Sequence, residues 1–284
     1  MSGSHLIRTV APRRDTGGVS EPDLHFLGHS TVRIELAGRT VLTDPVLTPG
    51  VGPLRRVVPM PDPSTWAGVD LVLLSHLHGD HLHLPSLRML GDVRIVVPRG
   101  AGSWLRGKGF AHVSELAPGE TLKDGDLRIT GVHAQHSGHR WGPRLEHGPQ
   151  TRAMGHLISG DGSTIYASGD TDLFDSMSFL GDLGIDVALL PVWGWGPNLG
   201  HGHLDPHRAA EAVARLRPRV AVPVHWGTLA VGGSHLLPKL RHRMRRVLVE
   251  PPRTFAEEVA ARHLDTTVIH VEPGEHVPLP VTTP

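Results

Sequence analysis

The stretch that most constrains this chain is Ser75-His76-Leu77-His78-Gly79-Asp80-His81. Three histidines and one aspartate fall within six positions. Before them, Asp70-Leu71-Val72-Leu73-Leu74 is a short apolar run of the kind that forms a buried strand. After them, Leu82 to Leu90 has a helical pattern with Pro85 near its start. The polar cluster therefore sits on a turn at a strand's end, where rigid backbone presents side chains to a cleft.

Imidazole suits zinc, and carboxylate suits zinc, iron or manganese. His76 and His78 are two residues apart and project to the same side of an extended segment. Asp80 and His81 follow where the chain turns, so they point to a second position nearby. One short turn thus supplies two ligands to each of two adjacent ions, and a single ion would not use all four. In a chain with 22 histidines among 284 residues, an isolated histidine carries no such meaning, whereas the whole H-x-H-x-D-H string after an apolar strand does. There is no cysteine, so disulfides and thiolate sites are excluded and any metal must be held by histidine and carboxylate.

Ser75 to His81 resembles the signature of the metallo-β-lactamase superfamily. The resemblance implies an α/β (α+β) fold, a four-layer αββα sandwich with one or two metals at the edge of two packed sheets. It also implies roles for residues elsewhere in the chain. Val32 to Leu36 and Thr40 to Thr43 form a hairpin around Ala37-Gly38, ending at Asp44-Pro45. Read locally, Asp44 is a turn-initiating aspartate; in the family, an aspartate here is buried and braces the metal-binding turn. Leu127 to Val132 is an alternating strand that runs into His133-Ala134-Gln135-His136. The family's third histidine lies just past a strand in this region, which matches His136 and leaves His133 within the strand. Met154 to Ser159 and Ser163 to Ala167 form a hairpin around Asp161-Gly162. Asp170 follows it in Ser168-Gly169-Asp170-Thr171, the family's position for a carboxylate that bridges two metals, although a helix cap or turn residue would read the same locally. Asp172 and Asp175 do not match that position. Arg219 to Val224 is a strand ending at His225, which matches the family's last ligand. The implied set is His76, His78 and His136 on one ion, Asp80, His81 and His225 on the other, and Asp170 between them.

Three further strings narrow the resemblance: Leu27-Gly28-His29-Ser30-Thr31, His203-Leu204-Asp205-Pro206 and His225-Trp226-Gly227-Thr228. Together they look like N-acylphosphatidylethanolamine phospholipase D and its bacterial relatives and, more distantly, the ascorbate-6-phosphate lactonase group. The resemblance extends from about Phe26 to about Thr228. In the phospholipase a histidine of the H-x-D-P string faces the active site, and His203 matches it. Its place beside a helix N-terminus suits anionic groups, and the bland alternative is a helix-entry histidine bonded to backbone. The resemblance implies hydrolysis by a metal-bridged hydroxide, with Asp80 and His203 as catalytic residues and most directly a phosphodiester as substrate. The alternatives are a lactone or amide hydrolase, then an iron-dependent oxidoreductase, then a metal-binding protein without catalysis. Di-iron members typically have Glu where this chain has His78. Two zinc ions are expected, though iron, manganese and nickel accept the same ligands.

Lys+Arg and Asp+Glu are both 28, so the formal net charge is zero and nothing marks a polyanion partner. The cations between Lys239 and Arg246 lack interleaved aromatics and read as a solvated helix face. No apolar run reaches the roughly 18 residues of a membrane span, and residues 1–20 do not read as a secretory signal. The expectation is a cytoplasmic protein with a small-molecule or lipid-like substrate. Residues 1–20 are polar and read as a mobile leader. Residues 21–284 read as a single domain of two similar halves, a similarity echoed by Pro-Gly-Glu at Pro118 and again at Pro273. Leu47 to Pro61 reads as a loop whose Arg55-Arg56 suits phosphate or solvent equally. The loop from Ser137 to Thr151, with His139, Trp141, Arg144 and His147, is placed beside the cleft, and the loop from Trp193 to His203 is expected to contact substrate.

Overall fold

The computed structural model describes residues 21–140, 148–234 and 238–280. The expected leader, Trp141, Arg144, His147 and the side chains of Lys239 and Arg241 lie outside the described residues.

In the first hairpin, alternation decides which face is buried. Val32, Ile34 and Leu36 face the core while Arg33 and Glu35 stay partly open. Strands β1 (Asp23–Gly28), β2 (Thr31–Leu36) and β3 (Arg39–Thr43) form an antiparallel meander. Ala37 and Gly38 join β2 to β3 at φ 49° and 68°, the left-handed pair that matches the twist of a tight hairpin. Next come β4 (Gly50–Val51), β5 (Leu54–Arg56) and β6 (Leu71–Leu73). Helix α1 (Leu84–Met89), β7 (Arg94–Pro98), α2 (Gly102–Gly107) and β8 (Val113–Leu116) complete the first half. The second half begins with β9 (Thr121–Asp124), β10 (Leu127–Ser137), β11 (Arg152–Gly160) and β12 (Ser163–Ala167). It continues through α3 (Met177–Gly181), β13 (Val187–Pro191), α4 (Pro206–Leu216), β14 (Val220–Val224) and β15 (Leu229–Val231). Helices α5 (Pro238–Val249) and α6 (Pro251–Ala261) precede the short β16 (Thr267–Val268) and β17 (Glu275–Val277).

Two seven-stranded sheets result, ordered β17-β1-β2-β3-β6-β7-β8 and β9-β10-β11-β12-β13-β14-β16. Counted from the left, each has three antiparallel pairings followed by three parallel ones. The two Pro-Gly-Glu strings lead into β9 and β17, which hold the same edge position in the two sheets. Gly119 and Gly274 take φ 89° and 102° there, and each N–H donates to the neighbouring strand, at Gly131 O (2.9 Å) and Phe26 O (2.7 Å).

Period-2 alternation then fixes the layers. Leu71 and Leu73 of β6 join a core shared with Ile129, Ile158, Ile165 and Leu189 of the second sheet. Val72 and Leu74 point the other way and pack with Leu87 and Leu105 of α1 and α2. On the far side, Ala209, Val213 and Leu216 of α4 and Phe255 and Val259 of α6 are buried against the second sheet's core. Asp205 caps α4, accepting from Arg208 N at 2.8 Å, and Pro206 takes the first helical position. The order is helix, sheet, sheet, helix.

Leu47 to Pro61 is not a bare loop. Its β4 and β5 join β15 in a three-stranded sheet, a partner that arrives only at Leu229. Such non-local pairing leaves no periodic signal in so short a strand. Among the described residues, no helix is long and apolar enough to cross a membrane.

Candidate metal centre

The Ser75–His81 turn hangs from the end of β6 on Asp44. Asp44 Oδ1 accepts from Ser75 N (2.8 Å), and Oδ2 accepts from Ser75 Oγ (2.6 Å) and His81 Nδ1 (2.9 Å). Its own N–H reaches Leu73 O at 3.0 Å, and it is buried at φ 35°, a conformation most side chains avoid. The chain then closes a tight turn, with Leu82 N donating to His78 O at 2.8 Å.

The donor atoms of His76, His78 and His136 converge within 4.8 Å of one another. His78 Nδ1 and His136 Nε2 are 3.2 Å apart. The outward nitrogens are occupied. His136 Nδ1 donates to Gly202 O at 2.7 Å. Ser75 Oγ spends its proton on Asp44, so it accepts from His76 Nδ1 at 3.0 Å. His76 Nε2 is left buried with no hydrogen-bond partner.

A second group joins His29, Asp80, His81 and His225, with one donor atom of each within 4.8 Å of the others. Nε2 of His81 and Nε2 of His225 are 3.2 Å apart, and Asp80 Oδ2 lies 3.9 and 4.0 Å from them. Again the outer nitrogens are engaged, His81 Nδ1 on Asp44 and His225 Nδ1 on Trp193 O at 2.8 Å. Asp170 lies against both groups. Its oxygens are 3.2 Å from His225 Nε2, 3.3 Å from His81 Nε2 and 4.0 Å from His136 Nε2, and its buried Oδ1 has no hydrogen-bond partner. Gly169 makes this approach possible: at φ 60°, a Cβ there would sit 2.4 Å from Ser75 Cβ.

The donor set fits divalent cations. A tetrahedral ion with bonds of about 2.0–2.1 Å has edges of about 3.3 Å, close to the spacings found here. Burial, reinforced by His81, holds the His76 imidazole neutral with a pKa well below the usual range; burial and His136 bring His78 down to about 4. Burial takes His225 to about 3. Burial also pushes Asp80 and Asp170 towards protonation, but neighbouring imidazoles outweigh it and hold both well below the usual carboxylate range. At His81, burial is outweighed by Asp170 and Asp44, which raise its pKa well above normal. The neutral imidazoles of His76, His78 and His225 and the anionic carboxylates facing one point form a trap for positive charge, which His81 joins by giving up its proton.

His203 also reaches Asp170, with Nε2 3.3 Å from Oδ2, while Nδ1 lies 3.2 Å from both Gly200 O and His201 O. Its side chain is 22 % exposed, open to an incoming group. Burial lowers its pKa, but Asp170 more than compensates and raises it, favouring the proton-bearing form. Beside Asp80 and Gly79 opens a cleft of about 650 Å³, walled by Val51, Leu54, Leu84 and Trp195 and bordered by Arg88 and Arg140. Trp195 thus brings the Trp193–His203 loop to the cleft.

Every ligand candidate from the sequence is brought to one place, but His136 arrives differently. It lies inside β10 rather than past it, and the register with β11 breaks between His133 and Ser137. The bulge re-aims His136 into the site, whereas His133 stays exposed against Phe174. Asp172 is held by Arg208 at 2.8 Å, outside the cluster. Arg56 is turned to the backbone: it donates to the Leu27 and Pro59 carbonyls, and burial lowers its pKa to about 10. The residue sequence reasoning missed is His29. It is buried, its Nε2 is 3.1 Å from Asp80 Oδ2, and its ring centroid is 4.0 Å from that of His225. Its only signal was the Leu27–Thr31 string.

A four-layer sandwich with a His/Asp cluster at its strand ends defines a metal-dependent hydrolase of the αββα class. The sequence matches the beta-lactamase superfamily domain over residues 39–226, and the chain belongs to that family, within the metallo-β-lactamase superfamily. It is 31% identical to a metal-dependent hydrolase of Methanopyrus kandleri, over 88% of this chain and 96% of that protein. It is 28% identical to N-acyl-phosphatidylethanolamine-hydrolyzing phospholipase D 1 of Caenorhabditis elegans, over 88% of this chain and 74% of that one. Among solved structures, Igni18, a metallo hydrolase from Ignicoccus hospitalis, superposes with a TM-score of 0.68 at 27% identity, covering 90% of this chain and 97% of its own.

Proposed function

We propose that the chain is a dinuclear zinc hydrolase acting on a phosphodiester. In this reading His76, His78 and His136 hold one ion and Asp80, His81 and His225 the other, with Asp170 shared. The observation that carries it is Asp170, whose carboxylate lies within 4.0 Å of donor nitrogens from both groups. Ions held there supply an activated water and stabilise charge that develops on oxygen.

The chain's own residues do the rest. Engaged outer nitrogens keep the imidazole lone pairs turned inward and fix each ring. His203, proton-bearing and partly open, orients the substrate or gives its proton to the leaving group. No protein nucleophile is required, in keeping with the absence of cysteine. The phosphodiester preference is supported by the similarity to a phospholipase D and by the exposed Arg88 at the cleft beside Asp80.

The test compares hydrolysis of bis(p-nitrophenyl) phosphate and of a simple lactone by zinc-loaded protein, with Asp80→Ala as the blank. Diester turnover that vanishes in the blank is expected. Turnover of the lactone alone would move the assignment to carbon–oxygen hydrolysis.

A further inference from the structure

The strings Leu27–Thr31 and His225–Thr228 come from opposite ends of the fold and form one interlock. His29 N–H donates to Thr228 Oγ1 at 2.7 Å, and His29 C=O accepts from His225 N–H at 2.7 Å. Gly28 lets them meet: at φ 113°, a Cβ there would lie 2.8 Å from Thr228 Oγ1. His29 and His225 both sit in the left-handed region, at φ 55° and 61°. Glycine fits there without strain, and histidine, though tolerated better than most side chains, still needs a reason to be there. The side chain gives the reason. Nε2 of His29 meets Asp80 Oδ2 at 3.1 Å, and that same oxygen is the one nearest His81 and His225. A carboxylate oxygen has two lone-pair directions, so accepting from His29 leaves one for an ion.

We propose that His29 is the positioning residue of the second ion site. Its side chain fixes the Asp80 carboxylate and its main chain fixes the strand-end His225, so one residue sets two ligands delivered by the two different sheets. This rests on Asp80, His81 and His225 being ligands, and it assigns His29 no contact with substrate. Hydrogen bonds from outside the ligand set commonly govern ion affinity by roughly 10–100-fold.

The experiment measures zinc binding by equilibrium dialysis of chelator-treated protein, for wild type, His29→Ala, His29→Gln and Asp80→Ala. His29→Ala is expected to keep the tighter-held ion and bind the other roughly 10–100-fold more weakly. His29→Gln is expected to recover most of that loss, because its amide donates to Asp80 from nearly the same place while being a poor zinc ligand. Should His29→Ala fail to fold, His29→Leu, which fills the space and removes the donor, takes its place: weaker zinc binding than in His29→Gln supports positioning, and equal binding overturns it. Wild-type affinity in His29→Ala would overturn the proposal, as would His29→Gln losing the ion outright, the mark of a direct ligand. Asp80→Ala separates the two levels. If it keeps both ions, the ligand reading itself fails and this proposal with it; if it loses one while His29→Ala loses nothing, only the role of His29 fails.

Discussion

Asp44 accepts three hydrogen bonds from a buried turn, and none of the three donors has water to fall back on. An unsatisfied buried donor costs about 1–3 kcal/mol, so Asp44→Ala should lose about 3 kcal/mol or more of stability. Urea unfolding of chelator-treated protein checks this, and an unchanged midpoint would mean that the turn does not depend on Asp44. His203 is a different kind of residue, bonded to the site at one nitrogen and partly open. His203→Ala should bind zinc as wild type does and lose about 100-fold in rate or more; unchanged kinetics would return it to a helix-entry histidine. The H-x-H-x-D-H string is legible in the sequence because four donors on one turn need no knowledge of strand pairing. His29 is not, because its meaning lies in contact with Asp80, 51 residues away. A lone histidine in a tight turn carries no periodic signal.

The same contrast holds among strands and turns. The hairpins around Ala37-Gly38 and Asp161-Gly162 are legible because alternation and turn chemistry are local, and both turns adopt paired positive φ. The β4-β5-β15 sheet and the edge strand β17 are not, since their partners lie far along the chain. The β10 bulge is hidden for the same reason: a run that alternates to Val132 does not announce where its register with β11 will slip. At the end of β12, Gly169 is where packing between elements meets the site. Gly169→Ala adds both left-handed strain and a clash with Ser75, together worth roughly 2–4 kcal/mol, and should weaken zinc binding by displacing Asp170 or the turn. Gly162→Ala is the control. It has φ 76° with nothing nearby, so it should cost roughly 1 kcal/mol and leave zinc binding intact. Equal effects of the two on zinc affinity would contradict this.

The site lies on the seam of the whole molecule. One half supplies His76, His78, Asp80 and His81, and the other His136, Asp170, His203 and His225. Neither sheet builds it alone, so the site exists only where the two halves are packed together. Burial on this seam also sets how the fold responds to acid. His156 of β11 is buried with Nε2 unpartnered, and burial lowers its pKa to about 4. Above pH 6.5 it is neutral folded and unfolded, and contributes nothing. Between 6.5 and about 4 the unfolded chain takes a proton the native one refuses, so stability falls as pH falls. At 1.36 kcal/mol per pH unit, the loss is about 2 kcal/mol from pH 7 to pH 5. Urea unfolding of chelator-treated protein at both pH values should show a steeper loss in wild type than in His156→Leu; parallel losses would contradict it.

Zinc counted per chain decides most directly whether Asp170 joins two ion sites. Chelator-treated wild type, titrated with zinc and assayed for bound metal, should take up two ions per chain. Asp170→Ala should lose metal and activity together. Two ions bound at wild-type affinity in Asp170→Ala would contradict the shared carboxylate, and a single ion taken up by wild type would contradict the dinuclear hydrolase.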